Sequence, residues 1–353
     1  MKIQVQAPGK LILLGEYAVL EGADALVMSV NRFARVTIEE IRPAGQFILS
    51  GNLFAEPLIF TIDDRGALGP FDKAQSAIAS RLSFSTTAIE RTCRQIAKMI
   101  PINRAFKIDL DTRAFHDADK NMKLGLGSSA ALTVAVIDGL VRFFGMVKAL
   151  IPTRNDLFRL AQDIHEEVQG KQGSGIDIAA SAIGGILKYN MAAYTGSDAT
   201  GMTAFPDHLA QLKVLTVWSG ESASTATFLS RLAIFKSNHK SQYTKLIRHM
   251  TALSEEGCRT YLSGNFPAFM EVVDAYGRTM ESLGQQADIP VFSGSHQTIA
   301  AFIRKAGGVY KPSGAGGGDL GVAFFKTDTD RTRAREVLEI NGFWCPELKT
   351  AAS

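Results

Sequence analysis

The sequence has little of what would assign it at a glance. Its three cysteines, Cys93, Cys258 and Cys345, form no CxxC pair and leave an odd count. That pattern argues against a disulfide framework or a zinc site and favours a reducing, cytoplasmic setting. No dense basic run occurs, and 38 Lys and Arg against 35 Asp and Glu leave a formal charge of +3. Nucleic acid is therefore not an expected partner. The most apolar stretch, Ala130 to Val147, carries Asp138 and Arg142, and Pro8, Gly9, Lys10 and Glu16 interrupt any signal-peptide core, so neither a membrane span nor a leader is expected. The six histidines show no metal-ligand spacing, and no internal repeat or low-complexity tail is found. A GxxxxGK[ST] loop is also missing, so any nucleotide site must be built in another way.

What is present is an ordinary globular composition, 46% hydrophobic and 21% charged over 353 residues, long enough to favour two domains. KIQVQ and VMSVNRFARVTIEEI read as strands flanking LILLGEYAVL. The spacing predicts a helix over 76–99, a strand from Ala105, a helix ended by Gly145, and another over 156–168 with Leu157, Leu160, Ala161, Ile164 and Val168 on one face. GGILKYN, QLKVLTVWSG and VAFFK resemble strands, and SRLAIFKSNHKSQYTKLIRHM a basic helical stretch. Residues 191–206, rich in Ala, Thr, Gly, Ser and Asp, read as a junction or long loop. The expected division is 1–190 and 191–353, two mixed α/β domains.

Three small-residue segments stand out: APGKLILLGEYAVLEG at 7–22, LGLGSSAAL at 124–132 and KPSGAGGGDLG at 311–321. In the middle one Ser128 is the expected N-cap of a helix beginning near Ser129, whose unpaired N–H groups and positive dipole end suit an anion. Glycines at 125 and 127 let a polyanion approach the backbone. A glycine turn entering a core helix explains the same residues. A dinucleotide fingerprint does not, because DADKNMK precedes the glycines in place of an apolar strand and the later acid is missing.

Taken together, the three segments resemble, in order and spacing, the motifs of the GHMP kinase superfamily over residues 7–325. QGKQGSGIDIAASAIGG, 169–185, is similar to the loop carrying the catalytic aspartate in its mevalonate branch. Within that branch GEYA at 15–18 and WSGESAST at 218–225 resemble phosphomevalonate kinases more than the GEHAV of mevalonate kinases. One departure is the lack of a proline between Asp117 and Lys123. The resemblance implies an α+β two-domain fold, with an N-terminal domain like ribosomal protein S5 domain 2, a ferredoxin-like C-terminal domain and a site in the cleft between them. It implies an ATP- and Mg²⁺-dependent kinase of a small anionic mevalonate derivative, acting as a monomer or homodimer. Mevalonate kinase or another small-molecule kinase of the superfamily is the alternative. A ligand-binding sensor that has kept the fold is a further one, which the presence of Lys10, Asp177, Ser129 and Glu166 disfavours.

By the same resemblance, backbone N–H groups of Gly125, Leu126, Gly127, Ser128, Ser129 and Ala130 would cradle ATP, and Ser129 with Glu166 would hold Mg²⁺. Glu166 precedes Asp177 by eleven residues; without the family it reads as a solvated helix face. Asp177 would take a hydrogen bond or proton from the acceptor, and Lys10 would stabilise the developing charge. Tyr17, Ser174, Gly175, Ser224, Thr225, Ser313, Gly314, Ala315 and Gly316 are the expected substrate contacts, with Lys171 and Lys311 as anion partners.

Overall fold

A computed structural model describes every residue except 43, 44, 118–121, 171, 172, 196–200, 224 and 353; at 73, 74, 194, 195 and 225 the backbone alone is described. The chain runs β1 (Lys2–Leu14), β2 (Asp24–Glu40), β3 (Phe47–Gly51), β4 (Leu58–Phe60), α1 (Lys73–Arg81), α2 (Ser83–Ala97) and β5 (Phe106–Asp111). A short hairpin, β6 (His116–Asp117) and β7 (Met122–Lys123), leads into α3 (Ser128–Phe143), α4 (Val147–Leu150), α5 (Arg154–Gln169), α6 (Ile176–Ile183), β8 (Ile186–Asn190) and β9 (Met202–Phe205). Then follow α7 (Leu209–Leu212), β10 (Leu215–Trp218), α8 (Thr225–Asn238), α9 (Lys240–Leu262), α10 (Phe266–Ala287), α11 (Gly294–Lys305), β11 (Val309–Pro312), β12 (Leu320–Phe324) and α12 (Asp328–Ile340).

The expected helix over 76–99 is two helices, because Leu82 leaves helical geometry (φ −100°, ψ 22°) and turns its buried side chain inward. The basic stretch likewise divides at His239 (φ −131°, ψ 48°). The segment expected to be loop from 191 ends in β9, which pairs with β8. Four residues of MTAF are too few to show a strand period beside so many small residues.

Strand β2 is the spine of the first sheet, whose order is β4-β3-β5-β2-β8-β9 with β1 added to β2. Along one side β1 runs antiparallel from Lys2↔Glu39 to Leu14↔Leu26. The other side takes β8 at Asp24–Met28 and β5 at Arg35–Glu40. Helix α3 packs on this sheet with nearly every side chain buried, as its largely apolar sequence requires. Helix α5 is amphipathic and begins on a capping box in which Thr153 and Asp156 exchange hydrogen bonds.

A second sheet, β10-β12-β11, is antiparallel throughout, with α10 and α11 packed on β11, while α9 packs on α10 and on β2 of the first sheet. The chain's end ties the two sheets: Trp218 N–H donates to Trp344 (2.8 Å), Ala351 N–H to Ser29 (3.0 Å) and Gly185 N–H to Ala351 (2.8 Å). The buried apolar residues form one continuous cluster from Val5 to Cys345. The result is a mixed α+β fold. Among the described residues no helix is long and apolar enough to cross a membrane.

Candidate active site

The site begins with a fault in β1. Its register with β2 slips between Pro8 and Gly9, a bulge that bends the strand just before Lys10. Gly9 lets the next segment come close: a Cβ there would lie 2.7 Å from the Leu126 carbonyl oxygen. Lys10 N–H donates to that same oxygen (2.9 Å), and Lys10 Nζ reaches the Gly125 carbonyl (3.4 Å). The first and second glycine-rich segments are therefore joined through backbone.

Helix α3 starts beside them. Its N-cap is Gly127 (φ 75°, ψ 41°), with no side chain capping it, and Ser128 is the first helical residue. This corrects the expected Ser128 cap: the left-handed backbone that this turn needs belongs to glycine. The first N–H groups of the helix have no partner within it. A Cβ on Gly127 would sit 3.3 Å from Lys10 Cγ and 3.4 Å from Asp177 Cβ, so Lys10, Asp177 and this helix start converge. Asp177 lies in the first turn of α6, whose N-cap is Gly175, and its Oδ1 accepts the Ile178 N–H (3.0 Å). Two positive helix ends thus face one place.

Beside Lys10, Asp177 and the third segment lies a cavity of about 430 Å³. Lys10, Glu16, Tyr17, Asp177, Gly314 and Ala315 form its polar side. Ile12, Val19, Leu20, Ile176 and Leu229 add apolar lining. Tyr17 is held at φ 62° and donates its hydroxyl to the Ala315 carbonyl. Burial, reinforced by Glu16, pushes its phenol well above the ordinary range, so it remains a protonated donor.

Ser174 lines the cavity, with its carbonyl accepting from Tyr189 (2.6 Å). Gly175 is present as the α6 cap, packed on the Gln162 amide. Ser313 instead faces β1, accepting from Ile12 N–H and donating to Ile12 O, both at 3.0 Å. It joins the third segment to β1 and is absent from the cavity wall. Gly316 packs against Val291, also off the wall. Ser224 and Lys171 lie outside the described residues, and Thr225 is described only as the backbone start of α8.

Glu166 accepts from Gln162 Nε2 (2.7 Å), the amide that underlies Gly175, whereas Glu167 is engaged by Arg91 (2.7 Å). No hydrogen bond joins Glu166 to Ser129, and no group of three His, Cys, Asp or Glu side chains forms a metal cluster, among the described residues.

Two features escaped the sequence reading. The first is Glu16, inside GEYA, which forms a fully buried ion pair with Lys311. Lys311 also donates to Pro312 O (2.9 Å), and Gly314 N–H reaches Glu16 Oε1 (3.3 Å). Burial pushes the Lys311 ammonium down, with Glu16 opposing the shift. The second is Asp319, which follows the glycines of the third segment and packs on Gly125. An acid ending a glycine run was the available signal in its case. For Glu16 there was none, since its partner is 295 residues away.

The pair is a hinge of the site's stability. Lys311→Met, which strands Glu16 in a dry position, should cost about 3–5 kcal/mol in guanidinium unfolding, and adding Glu16→Gln should restore most of it. His296 adds a pH dependence: it is buried between Tyr310 OH (2.7 Å) and Gly318 O (3.0 Å), and burial pushes its pKa from 6.5 down to about 4. As pH falls, the unfolded chain takes up this proton first, so the contribution is complete above about pH 6.5 and is lost toward pH 4. The loss should reach about 3 kcal/mol and disappear in His296→Gln, read from denaturation midpoints across that range.

Residues 86–185 match the GHMP kinases N terminal domain. The chain is 29% identical to a phosphomevalonate kinase of Streptomyces over 95% of its own length and 94% of the relative's. A mevalonate kinase of Thermococcus sibiricus is 28% identical over 66% of this chain and 62% of that protein. The crystal structure of Streptococcus pneumoniae phosphomevalonate kinase with phosphomevalonate and AMPPNP superposes with a TM-score of 0.75, at 18% identity, covering 99% of this chain and 100% of the other. Residues 86–185 thus resemble a GHMP kinase N-terminal domain, and the chain is a phosphotransferase similar over most of its length to the phosphomevalonate kinases.

Proposed function

We propose that this kinase transfers the γ-phosphoryl group of ATP to 5-phosphomevalonate, forming 5-diphosphomevalonate. The observation that carries the proposal is that Lys10 and Asp177, both on the cavity wall, meet beside Gly127, the N-cap of α3. Phosphoryl transfer needs mainly alignment and neutralisation of charge spread over the moving group's oxygens. The N–H groups from Gly125 to Ala130 would receive the ATP phosphates. Lys10 would face the transferring group. Mg²⁺ keeps several waters and takes few protein oxygens, so the hydroxyl of Ser129 and the carboxylate of Glu166 suffice as its protein ligands, and the ion would neutralise charge on the phosphates. The division of the chain at 190 into a nucleotide-binding part and a C-terminal part that closes the cavity belongs to the same proposal.

The acceptor suits the cavity's mixed polar and apolar lining. The apolar lining suits a branched carbon chain, and the cavity's volume lies within the range of small-ligand sites. A phosphomonoester has its second pKa near 6 and is already largely a nucleophilic dianion at neutral pH. Asp177 therefore orients the acceptor more than it deprotonates it. One observation favours mevalonate as a second reading: among the described residues Lys10 is the sole cation on the cavity wall, which matches an acceptor with one carboxylate.

Coupled ATP-consumption assays with Mg²⁺ against 5-phosphomevalonate, mevalonate, homoserine and galactose separate these readings. A kcat/KM for phosphomevalonate about a hundredfold above that for mevalonate is expected, and preference for mevalonate would overturn the assignment. Asp177→Asn should lower kcat about 10²-fold and leave measurable turnover, with KM for both substrates little changed. Complete loss of turnover at unchanged affinities would show that the aspartate removes a proton.

A further inference from the structure

Asp319 closes the third glycine-rich segment and has no part in the scheme above. It sits at φ 57°, a left-handed backbone that Asp and Asn accept more readily than most residues. Its N–H donates to Glu221 O (2.7 Å), its carbonyl accepts from Ser219 N–H (2.9 Å), and its carboxylate accepts from Ala223 N–H. The preceding Gly318 presses on the same segment, where a Cβ would lie 2.8 Å from Glu221 O and 2.9 Å from Ala223 N. Its carbonyl is fixed by His296 Nε2. The carboxylate is thus mounted on a rigid knot of the second sheet.

That knot presents the acid to the loop before α3. A Cβ on Gly125 would stand 2.5 Å from Asp319 Cγ and 2.6 Å from Oδ2, while the Gly125 carbonyl accepts Lys10 Nζ. Gly125 is held between a carboxylate from one sheet and an ammonium from the other. Burial raises the Asp319 pKa, and the charges of Lys10 and Lys123 act against that shift. Lys10 forms no ion pair among the described residues, so its charge feels Asp319 through space. A fixed negative charge at this point opposes any polyanion arriving at the loop.

We propose that Asp319 is a positioning residue: from across Gly125 it holds the Lys10 ammonium at the loop in the geometry that transfer needs, and in doing so it weakens nucleotide binding. This rests on residues 124–130 being the nucleotide cradle. A residue that merely supported the fold would affect affinity and turnover in the same direction. Asp319 acts on them in opposite directions.

Asp319→Asn keeps the size, the left-handed backbone and an acceptor for Ala223 while removing the charge. Titration with a non-hydrolysable ATP analogue should show Kd tightened about threefold, while steady-state kcat falls about tenfold. Weaker nucleotide binding, or an unchanged kcat, overturns the proposal. Asp319→Gly, in which φ 57° is unstrained, is the second variant and should show the same split; thermal unfolding of each confirms the fold. Gly127→Ala examines the cradle away from Asp319, since a Cβ there meets Lys10 Cγ and Asp177 Cβ and no atom of Asp319. It should weaken nucleotide binding about tenfold, and an unchanged Kd in that variant would locate the failure in the cradle and leave the role of Asp319 to be judged on kcat alone.

Discussion

The structure depends on the segment from Gly9 to Glu16, the end of β1 and the two residues that follow it. On one side Lys10 N–H is bonded to Leu126 O and fixes the loop before α3. On the other, Ile12 exchanges two hydrogen bonds with Ser313, and Glu16 is paired with Lys311. Eight consecutive residues, six of them in β1, therefore hold the first sheet's glycine loop and the second sheet's glycine segment against each other. Gly9, at the register shift, makes this possible, because a Cβ there would collide with Leu126. A buried ion pair is a poor source of stability but a strict geometric constraint; here it ties Lys311 in β11 to the end of the strand bearing Lys10.

Electrostatics in the cavity follow from this arrangement. Two helix N-termini and Lys10 supply positive potential, while Glu16, Asp177 and Asp319 supply negative charge around it. Glu16 is answered by Lys311, which leaves Asp177 and Asp319 on either flank of the Gly125–Gly127 turn. Such a balance favours holding a charged group in one place over simple tight binding. Ile12, Val19, Leu20 and Leu229 add apolar surface to the cavity.

Much of this was legible in the sequence because it is local. The α3 and α5 periodicities, the glycine turn before α3 and the strands KIQVQ and GGILKYN all rest on neighbours within a few residues. The convergence of Lys10, Asp177 and Gly127 followed from the family pattern, and no spacing rule could have supplied it. What was not legible is non-local or fine-grained. Ser313 was expected to meet substrate and is bonded to Ile12, 301 residues away. Ser128 looked like a cap, but φ at the true cap is 75° and glycine holds it. The strand at Met202–Phe205 is set by its partner β8 more than by its own four residues.

The most direct measurement of the central claim is ³¹P NMR of one reaction containing the protein, ATP, Mg²⁺ and equal amounts of mevalonate and 5-phosphomevalonate. The account predicts that the phosphomonoester resonance declines while the coupled doublets of a diphosphate ester appear and mevalonate persists. Growth of the phosphomonoester signal with consumption of mevalonate would contradict it.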